Sequence, residues 1–186
     1  VKNKIKKMIF ASSIYALSEQ GGFYSLSKKV SELIIETYSK KYNIEFKILR
    51  FGSLYGSRAN YFNSIGKYIN QAKKERFIKR FSDGNEVRNY INVKDAAELA
   101  YRISRKSYKE RYFNLLGYKK YKVKDVLNEI AKELKIKKVH YNARAQSLEY
   151  HYKNTPFNYK PRIGKNMYPR KQTNLFKEIK FLIKSK

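Results

Sequence analysis

The chain contains no cysteine, so disulfides and thiolate metal sites are excluded. It has only two histidines, His140 and His151, with no metal-ligand spacing and no carboxylate beside them, so no metal site is expected. No apolar run approaches the ~20 residues needed to span a bilayer. The basic start leads into only a short apolar run, which is not a signal-peptide pattern. These features predict a chain without membrane insertion and with a cytoplasmic location. Its 8 glycines form no G-x-G-x-x-G or G-x-x-G-x-x-G. Such a turn brings backbone N–H groups and a helix N-terminus to a dinucleotide pyrophosphate. Gly21-Gly22 follows no crossover pattern and reads as loop.

Acidic residues are also scarce, 15 against 43 Lys and Arg, for a net charge of +28. Such an excess invites a nucleic-acid reading. Most of the basic residues are Lys rather than Arg, and they are scattered from Lys2 to Lys186 rather than blocked. Base readout relies on Arg, Asn and Gln presented to a groove, and no module for that is visible. Specific nucleic-acid binding is therefore not expected; polyanion binding without sequence preference is. At 186 residues and 42% hydrophobic, the chain is long enough for a core.

Hydrophobic patterning predicts alternating strands and helices. Lys7–Ser12 reads as a buried strand, Ile14–Phe23 as a loop, Tyr24–Tyr42 as an amphipathic helix stopped by Asn43, and Phe46–Phe51 as a second buried strand. The helix has apolar Val30, Leu33, Ile34 and Ile35 and charged Lys29, Glu32 and Glu36. Strand–helix–strand of this length is a βαβ crossover with parallel strands. Further on, helices are expected over Asn63–Lys74, Val93–Lys106 (capped by Asp95), Val123–Leu134 and Asn174–Lys184 (capped by Asn174). Short strands are expected at Phe77–Phe81 and Val87–Ile91, around the turn Ser82-Asp-Gly-Asn85, and at Tyr112–Leu115 and Val139–Tyr141. Asn142–Thr173 shows no periodicity.

One constellation carries chemistry. Tyr24-Ser-Leu-Ser-Lys28 follows the strand ending in Ser12-Ser13 by a short loop. Tyr and Lys four apart share a helix face, and an ammonium beside a phenol favours the phenolate. The hydroxyls of Ser12 and Ser13 lie where either one reaches the same substrate oxygen. Strand, Ser, loop and Tyr-x-x-x-Lys helix resemble the active-site order of the short-chain dehydrogenase/reductase superfamily. Lys47-Ile-Leu-Arg-Phe-Gly-Ser-Leu-Tyr-Gly-Ser-Arg58 resembles the strand and substrate loop of the extended branch, the nucleotide-sugar epimerases and dehydratases. Asp83-Gly84 with Val87-Arg-Asn-Tyr-Ile-Asn-Val-Lys-Asp95 resembles a later segment of that branch, and Tyr150–Gly164 the tail of some surface-polysaccharide members.

That resemblance implies an α/β fold: a partial Rossmann-like parallel sheet with a small C-terminal substrate-binding lobe. Residues 1–60 would be the remainder of the cofactor-binding domain and 61–186 the substrate lobe with a final helix. It implies NAD or NADP as cofactor, with most of its site expected outside this chain, which would make it an N-terminally truncated member. Tyr24 would be the acid/base, Lys28 the contact to the nicotinamide ribose, and Ser12 or Ser13 the auxiliary hydroxyl. Ser53 and Arg58 would face the substrate and Arg88 its diphosphate. Relatives usually have Asp where Asn89 stands, which costs Arg88 a charge partner. Dehydratases carry Asp-Glu after the Ser; Ile14-Tyr15 stands here, which favours an epimerase or reductase on a UDP- or dTDP-sugar. A homodimer through the Tyr24-bearing helix is implied, with exposed apolar residues there. The rival readings are a catalytically inactive remnant or split-gene partner, and a basic nucleic-acid-binding protein.

Overall fold

The computed structural model describes residues 5–18, 20–59, 63–142 and 164–185. The expected crossover is present: strand β1 (Lys7–Ser13), helix α1 (Gly22–Tyr42) and strand β2 (Glu45–Phe51), with the strands parallel and Ser12 level with Arg50. Helix α1 ends where Asn43 takes the left-handed conformation (φ 51°), which an Asn tolerates better than a residue with a bulkier branch. Between β1 and α1, Ile14–Leu17 form a 3-10 turn rather than featureless loop, because the Ser13 hydroxyl accepts from the Tyr15 N–H.

Strands β3 (Ser53–Tyr55), β4 (Ile78–Arg80), β5 (Val87–Asn92), β6 (Tyr112–Leu115), β7 (Lys120–Lys122), β8 (Val139–Tyr141) and β9 (Lys165–Met167) complete the sheets. The main sheet runs β1-β2-β6-β9, parallel throughout. A second sheet has order β3-β5-β7, and β4 pairs with β8. Helices α2 (Ser64–Glu75), α3 (Val93–Arg105), α4 (Val123–Glu133) and α5 (Leu175–Lys184) pack around them. One cluster (Leu49, Ile91, Leu99, Ile103, Phe113, Leu115) joins α3 to the main sheet. A larger one joins α2, α4 and α5 around Ile69, Ala72, Leu127, Ile130 and Ile179.

Several local expectations need correction. The strands flanking Ser82–Asn85 do not pair with each other: β4 joins β8, and β5 joins β3 and β7. Asp95 is not the cap of α3. Asn92 caps it, accepting from the Lys94 N–H at 2.9 Å. Asp95 instead accepts from the Thr173 N–H and hydroxyl, both at 2.9 Å, and ties the start of α5 to α3. Asn174 does cap α5. The aperiodic stretch contains β9, which three residues are too few to announce. Tyr150, His151, Tyr152 and Phe157 lie outside the described residues. His140 is exposed, edge-on to Phe77.

Helix α1 has the exposed apolar residues expected there, and it turns a charged position inward instead. Val30, Leu33 and Ile34 are exposed, while Glu32 is 3% exposed. Charge explains the inversion. Arg50, 1% exposed on β2, donates from Nε and Nη2 to the two Glu32 oxygens at 3.0 and 2.6 Å. The Ser12 hydroxyl donates to the same carboxylate at 2.5 Å. The Arg50 guanidinium also lies 4.9 Å from the Tyr112 ring. A buried carboxylate is tolerable only when paired and hydrogen-bonded in this way. Lys47, also buried on β2, donates to the Ile103 and Lys106 carbonyls at the end of α3, where a cation suits the free carbonyls.

Candidate active site

A cavity of about 370 Å³ opens beyond the C-terminal ends of β1 and β2. This is the expected place for a ligand in an open parallel sheet, and the volume lies in the ~300–1,000 Å³ range of small-molecule sites. Five of the seven residues singled out from the sequence line it: Ser12, Ser13, Tyr24, Ser53 and Arg88. They come from β1, α1, β3 and β5, so only the folded chain brings them together.

The reacting end is built from β1 and α1. Ser12 and Ser13 are both buried, but their hydroxyls differ. Ser12 donates to Glu32, whereas Ser13 accepts from the Tyr15 N–H at 3.3 Å and keeps its own proton to donate. Tyr24 is half exposed in the first turn of α1, and its ring meets Tyr15 edge-to-face with centroids 5.7 Å apart. One turn on, the Lys28 ammonium donates to the Ala11 carbonyl at 3.0 Å and lies 5.8 Å from the Tyr24 ring centroid. Lys28 thus stands beside Tyr24 but does not line the cavity. The short connection is held down by Ser25 and Lys29, which donate to the Ser18 carbonyl at 3.0 and 2.5 Å. Gly21 has φ 109°, and a Cβ there would stand 2.6 Å from the Tyr15 ring, so this turn demands glycine.

Ser53 opens β3, level with Tyr90 on β5. Arg88 is buried on β5, and its Nη1 donates to the Val87 carbonyl at 3.1 Å. Arg58 is exposed in a turn and lies off the cavity. Asn89 is buried, and its amide donates to the Gly117 carbonyl at 3.1 Å, a bond that an ionised Asp would not make.

Arg80, unremarked in the sequence, also lines the cavity. It donates to the Ser82 hydroxyl at 2.9 Å, the Tyr68 hydroxyl at 2.8 Å and Glu86 at 2.6 Å. Burial pushes the Glu86 carboxyl up, but hydrogen bonds from Ser82 and Arg80 outweigh it and hold the group below the usual carboxylate range. Nearby, burial pushes the Tyr55 hydroxyl well above the ordinary phenol range, with the Asp95 carboxylate adding to the effect. The cavity lining includes two Arg and no Asp or Glu among the described residues. Arg50 carried a partial signal: a buried cation in the strand Phe46–Phe51 needs acceptors, and Lys47 finds backbone carbonyls while Arg50 finds Glu32. Tyr15 and Arg80 carried none, because nothing in their spacing says which way a loop or strand-end residue points.

Comparison with known proteins gives the family and the fold. Residues 2–116 match the sequence model of the NAD dependent epimerase/dehydratase family. A putative UDP-glucose 4-epimerase of Methanocaldococcus jannaschii is 32% identical over 114 residues, 52% of this chain and 37% of the relative. A UDP-glucuronate 4-epimerase of Thermodesulfobacterium geofontis is 30% identical over 107 residues, 50% of this chain and 33% of the relative. The match thus spans about a third of the length of these curated relatives. Among solved structures, UDP-glucose 4-epimerase of Thermotoga maritima with UDP-glucose superposes with a TM-score of 0.77 at 17% identity, over 98% of this chain and 64% of that one. The UDP-glucuronic acid 4-epimerase of Bacillus cereus, in complex with UDP-glucuronic acid and NAD, gives 0.76 at 19%, over 98% and 62%. The Rossmann-like fold is therefore shared, no described helix is long and apolar enough to cross a membrane, and the match over most of the chain places it in the NAD-dependent epimerase/dehydratase family.

Proposed function

We propose that this chain supplies the Ser-Tyr-Lys side and the substrate pocket of an NAD-dependent nucleotide-sugar epimerase or reductase acting on a UDP- or dTDP-sugar, in surface polysaccharide synthesis. The observation that carries the reading is the single cavity into which β1, α1, β3 and β5 bring Ser13, Tyr24, Ser53 and Arg88. NAD, when bound, supplies a hydride acceptor and donor for a sugar carbon. The chain's own groups fit the nicotinamide end: a phenol with an ammonium one turn away. The same sequence has no Gly-rich turn for the pyrophosphate.

Tyr24 takes the proton from the sugar hydroxyl and later returns it. The Ser13 hydroxyl donates to the same oxygen and holds it against the phenol, while Ser12 is committed to Glu32. The Lys28 ammonium favours the phenolate and reaches the ribose. Arg88 binds the diphosphate, for which a guanidinium fork is well shaped. Ser53 touches the sugar, and Arg58 reaches it from the exposed turn beside the cavity. Ile14-Tyr15, standing where dehydratases carry Asp-Glu, favours epimerisation or reduction over dehydration. Residues 1–60 act as the cofactor side and 61–186 as the substrate lobe.

A second reading is that the chain works only when completed by another segment or a second copy. It rests on exposed Ile5, Met8 and Ile9 at the edge of the main sheet and on Phe23, Leu26, Val30 and Leu33 along α1, which also suit a homodimer through that helix. The chain alone is expected to hold NAD no tighter than about 1 mM, near −4 kcal/mol by calorimetry. Joined to the N-terminal half of a family member, it should turn over UDP- or dTDP-sugars. Tyr24→Phe should then lower turnover by ~10²–10⁴-fold with little change in affinity, and Arg88→Ala should mainly weaken binding. A Phe variant as fast as its parent would remove Tyr24 from the reaction.

A further inference from the structure

We infer that Tyr15 is a positioning residue: it joins the Tyr24 phenol and the Ser13 hydroxyl into one fixed unit. The inference rests on the nucleotide-sugar reading above, in which those two groups act on one sugar oxygen.

Tyr24 stands where its own backbone leaves it a choice. It is the third residue of α1 and is half exposed. A long side chain on a helix chooses between two χ1 rotamers. The Tyr15 ring selects one of them. It meets Tyr24 edge-to-face, with centroids 5.7 Å apart and planes at 78°. Such a contact favours the rotamer that makes it by roughly 2–10-fold beyond simple burial. A step of about 120° in χ1 swings the phenol away from that contact.

A contact of this kind positions Tyr24 because Tyr15 is itself held. Its N–H donates to the Ser13 hydroxyl at 3.3 Å, which ties it to the other reacting group. Its carbonyl accepts from the Ser18 N–H at 3.0 Å and from the Ser25 hydroxyl at 2.8 Å. Ser25 follows Tyr24 on α1, so the helix that carries the phenol is bonded to the turn that carries Tyr15. The Tyr15 ring packs on the buried cluster of Ile14, Leu17 and Leu116. Its edge lies against the bare Gly21 backbone, where a Cβ would stand 2.6 Å away. Ser13, Tyr15 and Tyr24 line the same cavity. A reacting group misplaced there by about 1 Å costs rate far more than affinity.

Magnetic resonance on the full chain with labelled tyrosine tests this, the two rings being assigned from the signals lost in Tyr15→Phe and Tyr24→Phe. In the parent, Tyr24 should hold one χ1 rotamer and show cross-relaxation with the Tyr15 ring. Tyr15→Phe, which keeps the ring, should preserve that rotamer. Tyr15→Leu, which keeps apolar bulk without the ring, should let Tyr24 average over both, while unchanged backbone signals elsewhere show that the chain is folded. A parent whose Tyr24 already averages overturns the inference without any variant. So does a Tyr15→Leu chain whose Tyr24 keeps the parent rotamer. Joined to the N-terminal half of a family member, Tyr15→Leu should lower kcat at least ~10-fold with KM within ~3-fold, and Tyr15→Phe should restore the parent rate. Tyr15→Leu at the parent rate overturns the inference. Tyr24→Phe at the parent rate instead overturns the assignment of Tyr24 on which it rests.

Discussion

Arg50→Met is the sharpest test of how this fold holds its site. Glu32 and Arg50 have side chains 4% and 1% exposed, and they are joined by two hydrogen bonds at 3.0 and 2.6 Å. Methionine keeps much of the Arg50 volume and removes its charge. The Glu32 carboxylate would then remain buried with only the Ser12 hydroxyl. Breaking a buried pair from one side costs about 3–5 kcal/mol. At roughly 2–4 °C per kcal/mol for a chain of this size, the melting temperature should fall by roughly 6–20 °C. Replacing both partners, in Arg50→Met with Glu32→Leu, removes both charges of the pair and should restore most of the loss, because a buried ion pair is often no better than well-packed apolar residues. Urea unfolding followed by circular dichroism gives both values and the coupling between them. If Arg50→Met costs less than ~1 kcal/mol, or if the double variant is less stable than the single one, the pair is not the buried, mutually dependent device described here.

Two further predictions address stability. The Glu86 carboxyl is depressed in the folded chain, so its stabilising contribution is present above the unfolded value of about 4.3 and is lost as pH falls through the lower folded value. Glu86→Gln should flatten the acid limb of stability below about pH 5 in a urea series taken against pH. A Cβ at Gly117 would stand 2.0 Å from the Tyr90 carbonyl oxygen, so Gly117→Ala should cost at least the ~1–3 kcal/mol of overpacking. At Gly66, inside α2, the nearest atoms are at 3.7 Å, so Gly66→Ala should instead gain about 0.4–1 kcal/mol; equal effects at the two sites would refute the steric argument.

Local chemistry determined a good deal of this protein. The βαβ crossover was legible because a buried strand, a helix of ordinary length and a second buried strand each carry their own periodicity. The stop at Asn43 follows from its tolerance of the left-handed backbone, and the cap at Asn174 from a single side chain accepting from the Lys177 N–H. Tyr24 and Lys28 were legible because helical spacing alone puts them on one face.

What the sequence could not decide were the relations between distant segments. Which face of α1 turns inward depended on Arg50 arriving from β2 to neutralise Glu32, and hydrophobicity alone pointed the other way. That Ser12, which lines the cavity beside Ser13, gives its proton to Glu32 depended on the same pair. Asp95 bonds Thr173 rather than its own helix end, and β4 passes over its neighbour in sequence for β8. In each case the energy lies in a contact between residues far apart along the chain. Each residue's identity is compatible with several partners, and only the closed core selects one.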